Sequence, residues 1–342
     1  MTELSNDWQE FVSRQEIPAA PAASETGFFA PLTDFGLIAA SGEEAAAFLH
    51  SQLTNDVQAL DGGGARLAGY CTAKGRLLAT MLVWRSDARR GDEIMLMLPK
   101  ELLAAIQKRL QMFVLRAKVK LRDASGEYAI LGLAGSFDAP ALGVYLPEAG
   151  NAPYAKQDSE SGSLIRLPDA DGVPRSLWIT DPAQAIAAWP VLAQTMKPAS
   201  NAAWRLTEIE AAIPWVVKET QEKFVPQMIN FELIGGVNFK KGCYPGQEIV
   251  ARSQYLGKLK RRMLSASIAA DEVAAGMEVF AETDPAQPCG MIVNAERSLD
   301  GEAGCLVEIK IAEAADAVIH LGRADGPVLR FLPLPYALPD EG

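Results

Sequence analysis

The spacing of hydrophobic and polar positions changes several times along the chain, and each change marks a boundary between elements. A short N-terminal helix is followed by a loop over residues 16–27, rich in Ala, Pro and Ser. Ser41-Gly42-Glu43-Glu44 leading into AAAFLHSQL reads as a helix start with acid in its first turn, and Thr54-Asn55-Asp56 ends it. Residues 66–84 are apolar on either side of Lys74-Gly75, which predicts two strands joined by a turn. Residues 94–98 (IMLML) predict a short buried strand. Leu102, Leu103, Ile106 and Leu110 then fall on one helical face over 101–110. Residues 113–133 alternate in pieces suited to a sheet, 134–175 carry few periodic segments, and 182–195 predict a helix. Between 263 and 332 the runs MLSASI, MEVFAE, GMIVNAER, CLVEIKI and PVLRFL are separated by turn residues, the pattern of a small antiparallel barrel or sandwich. The fold class is therefore α+β, with a β-rich part beginning near residue 260.

Composition narrows the function. At 342 residues the chain has room for one to three domains and a sizeable core. Its net charge of −11 disfavours binding nucleic acid or anionic lipid over the whole surface. Glu3, Asp7 and Glu10 precede the first basic residue, Arg14, which is the wrong charge for a secretory signal, and no apolar run approaches the ~20 residues of a membrane span. A cytoplasmic, soluble protein is expected. The four cysteines, Cys71, Cys243, Cys289 and Cys305, form no C-x-x-C pair, so neither a disulfide framework nor a zinc site is indicated. Only His50 and His320 could assist a nucleophile, and neither lies near Cys243 in sequence, which argues against His-dependent catalysis.

Cys243 is the residue that stands out. It sits in Lys240-Lys241-Gly242-Cys243-Tyr244-Pro245-Gly246-Gln247-Glu248, where two glycines and a proline force a turn. Lys240 and Lys241 flank it, and neighbouring positive charge favours a thiolate over a thiol. A helix opening at Gln247-Glu248-Ile249 adds its N-terminal dipole. Cys71, Cys289 and Cys305 lie in strand-like apolar settings and read as buried and inert. Residues 240–262 hold Lys240, Lys241, Arg252, Lys258, Lys260, Arg261 and Arg262 against Glu248 alone, a local +6 that suits either an anionic partner or a solvated linker. Glu208 and Glu210 alternate with Ile209 and Leu206, as in a strand or an irregular helix entry, and one of these carboxylates could be solvated or could bind a ligand's amino-amide edge.

These residues resemble a known family. K-G-C-Y-x-G-Q-E, with Val250-Ala251-Arg252, Tyr255-x-Gly257-Lys258, Phe224-Val225-Pro226-Gln227, Asn230 and Gly235-Gly236-Val237, is similar to the signature of the YgfZ-type folate-binding proteins, relatives of the glycine-cleavage T-protein. Leu53-Thr54-Asn55-Asp56 and Gly75-Arg76 match its N-terminal half. The resemblance implies a T-protein-like fold of two subdomains over 1–259 around a central tetrahydrofolate pocket, and a C-terminal antiparallel β-barrel over 260–342. It implies a folate or tetrahydrofolate cofactor, iron–sulfur client enzymes or assembly proteins as partners, and a role in making or repairing iron–sulfur clusters, one client being a radical enzyme that modifies tRNA.

By the same resemblance Cys243 is the reactive thiolate, able to hold iron, a transient iron–sulfur cluster or a partner's sulfur, with Lys241 and Glu248 assisting it. Glu210 matches the glutamate that holds the pterin, with Ala212 in place of the T-protein's glycine. Asn230, Gln227, Tyr244, Gln247, Arg252 and Lys258 complete the expected cofactor contacts. Ala79 and Thr80 stand where T-proteins carry an acidic pair, so the group expected to steer proton transfer in aminomethyl transfer is missing. The alternatives are a folate-dependent aminomethyltransferase, a thiol-redox or scaffold protein with a vestigial pocket, and, more weakly, direct RNA binding through 240–262.

Overall fold

The computed structural model describes residues 3–18, 27–87, 91–136, 142–147, 150–255, 259–298 and 301–339. In chain order the first elements are α1 (Glu3–Ser13), β1 (Phe28–Pro31), β2 (Phe35–Ser41), α2 (Ala45–Gln52), β3 (Ala65–Cys71), β4 (Leu77–Arg85), β5 (Ile94–Pro99), α3 (Lys100–Val114), β6 (Lys120–Asp123) and β7 (Ala129–Ala134). Next come β8 (Lys156–Ser159), β9 (Gly162–Ala170), β10 (Val173–Thr180), α4 (Pro182–Thr195), β11 (Lys197–Pro198), α5 (Asn201–Glu210) and α6 (Gln247–Tyr255). The chain finishes with β12 (Arg261–Ile268), β13 (Glu278–Ala281), β14 (Asp284–Arg297), β15 (Ala303–Lys310), α7 (Ile311–Asp316), β16 (Ile319–Leu321) and β17 (Leu329–Leu332).

Two compact units emerge. One comprises residues 1–49, 57–66 and 81–204; the other comprises 50–56, 67–80 and 205–342. The first holds a six-stranded sheet, β11-β1-β7-β10-β9-β8, antiparallel except where β1 pairs with β11. Its face is covered by α1 and α4, whose Trp8 and Trp189 meet edge-on with ring centroids 6.1 Å apart. A five-stranded sheet runs β3-β4-β5-β2-β6.

The strands predicted at 66–84 and 94–98 and the helices at 101–110 and 182–195 are present. Residues 134–175 differ from expectation. They contain β8, the long strand β9 and the start of β10, because Asp171 (φ 48°) and Gly172 (φ 76°) make a two-residue hairpin turn with both positions left-handed. Much of the expected 16–27 loop, residues 19–26, lies outside the described residues.

In the second unit, β16-β13-β14-β15-β12-β17 form one antiparallel sheet. The two edges approach through a bridge between His320 and Val328, so the sheet curls round on itself as a barrel. Alternate residues line the interior: Ala266 and Ile268 on β12, Val279 and Ala281 on β13, Cys305, Val307 and Ile309 on β15 are fully buried. Each of the larger aliphatics contributes about 1.5–3 kcal/mol by leaving water. Cys289 and Cys305 belong to this core and Cys71 to the buried β3, and burial pushes the Cys71 and Cys305 thiols up to about 12. Among the described residues no helix is long and apolar enough to cross a membrane.

Candidate functional site at the Cys243 turn

The turn that carries Cys243 is held by polar residues far upstream. Thr54 donates its hydroxyl to the Gly236 carbonyl (2.6 Å) and accepts from the Gly69 amide (2.7 Å). Asn55 donates Nδ2 to the carbonyls of Leu67 and Gly235, both at 2.7 Å, and the Thr54 carbonyl accepts from the Asn238 amide at 2.9 Å. These fully or nearly buried side chains satisfy loop backbone that would otherwise be orphaned. Gly235 is left-handed (φ 82°), and a Cβ on Gly236 would overlap the Phe231 ring at 2.3 Å. The Leu53–Asp56 and Gly235–Val237 segments are thus two halves of one clasp.

Lys241 follows directly. Its side chain turns inward, and Nζ donates to the carbonyls of His50 and Leu53, the latter at 2.8 Å. These carbonyls lie at the C-terminal end of α2, where a cation satisfies orphan acceptors and opposes the helix dipole. The ammonium also lies 4.9 Å from the centre of the Tyr244 ring. Burial outweighs the neighbouring charges of Asp56 and Cys243 and brings the Lys241 amine down to about 8. Lys241 is therefore a buried strut under the turn, whereas the sequence places it beside the thiol at the surface.

Cys243 itself is exposed, as its glycine-flanked setting predicts. Gly246 (φ 80°) closes the turn: a Cβ there would lie 2.4 Å from the Thr72 carbonyl oxygen and 2.6 Å from Gly75 Cα. Gly75, also left-handed at φ 71°, packs its backbone against the same spot. Then α6 opens at Gln247, with Glu248 exposed in its first turn, as predicted. Tyr244 is buried, which pushes its phenol up, and its hydroxyl has no hydrogen-bond partner among the described residues.

The other expected contacts fall into two groups. Gln227 is fully buried and donates Nε2 to the Val250 carbonyl (2.8 Å), while its Oε1 is without a protein partner among the described residues. Asn230, left-handed at φ 54°, spends its amide on β12, donating to the Met263 carbonyl (2.7 Å) and accepting from the Met263 amide (3.3 Å). Asn230 is thus a structural tie. Gln247 is half-buried; Glu210 and Arg252 are exposed. Lys258 lies outside the described residues.

Two expectations need correction. The segment around Glu208 and Glu210 is helical, within α5, so residues two apart diverge by about 200°. Glu208 is buried and Glu210 exposed at the last helical position. The +6 segment is not a continuous basic patch. Lys241 is consumed by carbonyls, Arg261 by the Glu308 carboxylate (2.9 Å) and Arg262 by Glu232 and the Gln227 carbonyl (3.0 Å). Lys240, Arg252 and Lys260 face solvent.

Sequence distance also conceals a neighbour. His50 Nδ1 lies 3.0 Å from Asp56 Oδ1, and His50 Nε2 is the nearest atom, at 3.5 Å, to where a Cβ on Gly242 would sit. The residue before Cys243 therefore abuts an imidazole 192 positions upstream of it. The only sequence signal was that Leu53–Asp56, just after His50, belongs to the same resemblance as the cysteine turn. Among the described residues no three His, Cys, Asp or Glu side chains are grouped to hold a metal ion.

No family profile matches the chain. It is 29% identical over 328 residues to a tRNA-modifying protein YgfZ from Edwardsiella ictaluri, covering 94% of this chain and 96% of that one. It is 30% identical over 316 residues to the protein of the same name from Klebsiella pneumoniae, covering 90% and 93%. Its fold is similar to that of a glycine cleavage system aminomethyltransferase T from Bartonella henselae, with a TM-score of 0.72 at 15% identity, covering 90% of this chain and 85% of that one. That likeness is one of fold alone. With 30% identity over 90% of this chain and the Cys243 signature held on its own clasp, the chain belongs to the YgfZ family.

Proposed function

We propose that this protein supports tRNA modification, as the names of its relatives suggest, and does so as a folate-binding accessory factor for the assembly or repair of iron–sulfur enzymes, through a reactive thiol at Cys243. The observation that carries the reading is the construction of the turn: an exposed Cys243 on a backbone fixed by the buried Lys241 strut and the Gly75–Gly246 contact. That investment in holding one exposed thiol fits a cysteine used for its chemistry. With one sulfur and no grouped co-ligands among the described residues, it reads as a thiol that reacts with a soft electrophile rather than as a resident metal ligand.

A folate fits part of the expected set. The exposed Glu210 carboxylate has the acceptor oxygens that a pterin's adjacent N–H donors need, and the Tyr244 hydroxyl and Gln227 Oε1 are buried polar atoms without a protein partner among the described residues. Asn230 instead has its amide tied to the Met263 backbone and the Tyr336 hydroxyl. When bound, the folate would supply a one-carbon carrier or a reductant.

The aminomethyltransferase alternative is weakened by Thr80. This fully buried residue accepts from the Val216 amide (2.9 Å) and donates to the Pro214 carbonyl (3.2 Å), so a structural hydroxyl occupies the place expected for a carboxylate. The deciding experiment is Cys243→Ala expressed in a strain deleted for its own copy of the gene, with cluster-dependent tRNA modification measured by mass spectrometry. Loss of rescue is expected, and full rescue would remove Cys243 from the function. Thermal shift with tetrahydrofolate, wild type against Glu210→Ala, tests the folate part.

A further inference from the structure

We infer that the C-terminal end of α3 is a docking surface for an acidic, apolar segment of another protein. The surface lies within the first compact unit, and the inference does not rest on Cys243.

The surface begins with exposed hydrophobic side chains. α3 buries Leu102, Leu103, Ile106 and Leu110 and packs on β2, β5 and β6. Met112 and Phe113, in its last turn, are 60% and 46% exposed, and Leu115, just past the helix, is 88% exposed. One exposed leucine is ordinary, whereas a cluster of large apolar side chains marks a site of association. Leu115 also holds an unfavourable backbone. Its φ of 46° and ψ of −104°, with the Ala117 amide donating to the Val114 carbonyl at 2.8 Å, make it the first central residue of a type II′ turn, a position suited to glycine. A bulky residue is strained there, and at this exposure packing within the fold offsets little of the strain. Docking supplies the burial that the fold does not.

The charge around the cluster selects the partner. Arg109 lies three and four residues before Met112 and Phe113, so the three share a helix face, and Lys108 and Arg116 flank them. Arg109 Nε is buried without a hydrogen-bond partner, and none of these three cations forms an ion pair among the described residues. The acids nearby are engaged by other groups. Glu43 accepts from Lys118 Nζ at 2.9 Å, Glu44 from the Lys118 amide at 2.7 Å, and Glu93 from Arg122 at 2.6 Å. Three uncompensated cations therefore border an apolar cluster on a chain whose net charge is −11. A carboxylate matches the guanidinium fork of Arg109 or Arg116 with paired hydrogen bonds. Glu43 and Glu44 are exposed beside Lys118, and the continuous negative charge of a bilayer or a nucleic acid would fall on them as well. A protein segment can instead set separate carboxylates on separate cations and its apolar side chains on Met112, Phe113 and Leu115.

The test sets a photoreactive benzophenone on this surface, as p-benzoylphenylalanine in place of Phe113, in the full-length protein expressed in cells. The product of irradiation is sequenced by mass spectrometry. The expected product is a peptide of another protein that carries net negative charge and apolar residues. Arg109→Glu/Arg116→Glu in the labelled protein is expected to lower its yield at least about tenfold, because like charges then meet. Leu115→Gly is expected to lower it at least about fivefold, through loss of a central apolar contact. The same change should raise the melting temperature by about 1–2 °C, because glycine relieves the turn. A leucine kept for the fold alone would show a lowered melting temperature and an unchanged yield. Products confined to lipid, to RNA, to a second copy of this chain or to a protein segment without net negative charge overturn the inference, as does the absence of any product. If the arginine variants do not fold, an unchanged yield in Leu115→Gly overturns it. None of these outcomes depends on tRNA modification, so the inference and the proposed function fail separately: the function falls with rescue by Cys243→Ala, the inference with the product formed at position 113.

Discussion

The Lys241 ammonium donates to the Leu53 carbonyl across 2.8 Å, joining two segments that lie 188 residues apart. It is a buried cation held by the His50 and Leu53 carbonyls, and burial lowers it to about 8 from an ordinary 10.5. The sign of the resulting pH effect is fixed. Between about 8 and 10.5 the unfolded chain holds this proton and the folded chain does not, so the Lys241 contribution to stability rises with pH across that window. Below about 8 both states are protonated and the contribution is flat. Lys241→Met should remove the rise, so the stability difference between wild type and Lys241→Met should change with pH above 8 and stay constant below it. At pH 7 the substitution is expected to destabilise by about 2–3 kcal/mol, because two helix-terminal carbonyls lose a charged donor. Denaturant titrations of both proteins at pH 7, 8.5 and 10 check both points; a pH-independent difference would show that the amine is not depressed.

Ala212 occupies a left-handed conformation (φ 50°) just past the end of α5, at the position where the T-protein pattern has glycine. A Cβ in this region costs about 1–2 kcal/mol, partly offset by the greater freedom that glycine gives the unfolded chain. Tyr336 donates its hydroxyl to the Ala212 carbonyl at 3.3 Å and holds the strained turn in place. Ala212→Gly is therefore expected to stabilise the protein by roughly 0.5–1 kcal/mol. Calorimetry decides it: a lowered melting temperature would mean that the methyl's packing in this fully buried spot outweighs its backbone strain.

What could be read in the sequence follows from which features are local. The exposed Cys243, the start of α6 at Gln247 and the buried state of the other three cysteines rest on nearest-neighbour chemistry, and the structure has all of them. Side-chain direction is not local. A lysine two residues from a cysteine can extend outward beside it or inward to a helix end, and Lys241 does the latter. The same holds for Arg261 and Arg262, whose carboxylate partners Glu308 and Glu232 lie 47 and 30 residues away. His50 is the extreme case, since only tertiary structure brings it to Gly242. Two departures have local causes. The Glu208-Ile209-Glu210 alternation fits a strand or an irregular helix entry, and Ala202, Ala203 and Leu206 supply the helix-favouring neighbours that decide for the helix. The Asp171-Gly172 pair is a hairpin signal of ordinary strength inside a stretch whose Gly and Pro content masks it.

Gly246 tests how tightly the turn is built. A Cβ there meets the Thr72 carbonyl oxygen at 2.4 Å and the Gly75 backbone at 2.6 Å, and φ is +80°. Both neighbours are main chain, so no side-chain rotation relieves the overlap. Gly246→Ala should cost at least about 2 kcal/mol. Gly62, exposed and with nothing within 4 Å of its built Cβ, is the matched control, and Gly62→Ala should be within about 0.5 kcal/mol of wild type. Chemical denaturation of the pair separates a specific backbone contact from a general intolerance of alanine; equal effects would remove the Gly75–Gly246 contact from the account of the site.

Arg262 and Glu232 form a buried pair, with side chains only 6% and 3% exposed. Burial raises the Glu232 carboxyl, and Arg262 opposes that rise through its hydrogen bond and charge. A carboxyl raised in the folded state makes its contribution at low pH and loses it as pH climbs through the folded value. Removing the guanidinium takes away the opposing effect, so Arg262→Met should raise Glu232 further and make stability fall more steeply above about pH 4.5 than in wild type. At neutral pH the loss should reach about 3–5 kcal/mol, because a charge is left buried and unpaired. Replacing both partners removes that charge, and Arg262→Met/Glu232→Leu should recover most of the lost stability and abolish the added pH slope. A double variant as unstable as the single one would locate the damage instead in the bond from Arg262 to the Gln227 carbonyl, which both variants lose. That outcome would make the arginine's main task fastening the Pro226–Ile229 turn to β12 rather than neutralising Glu232.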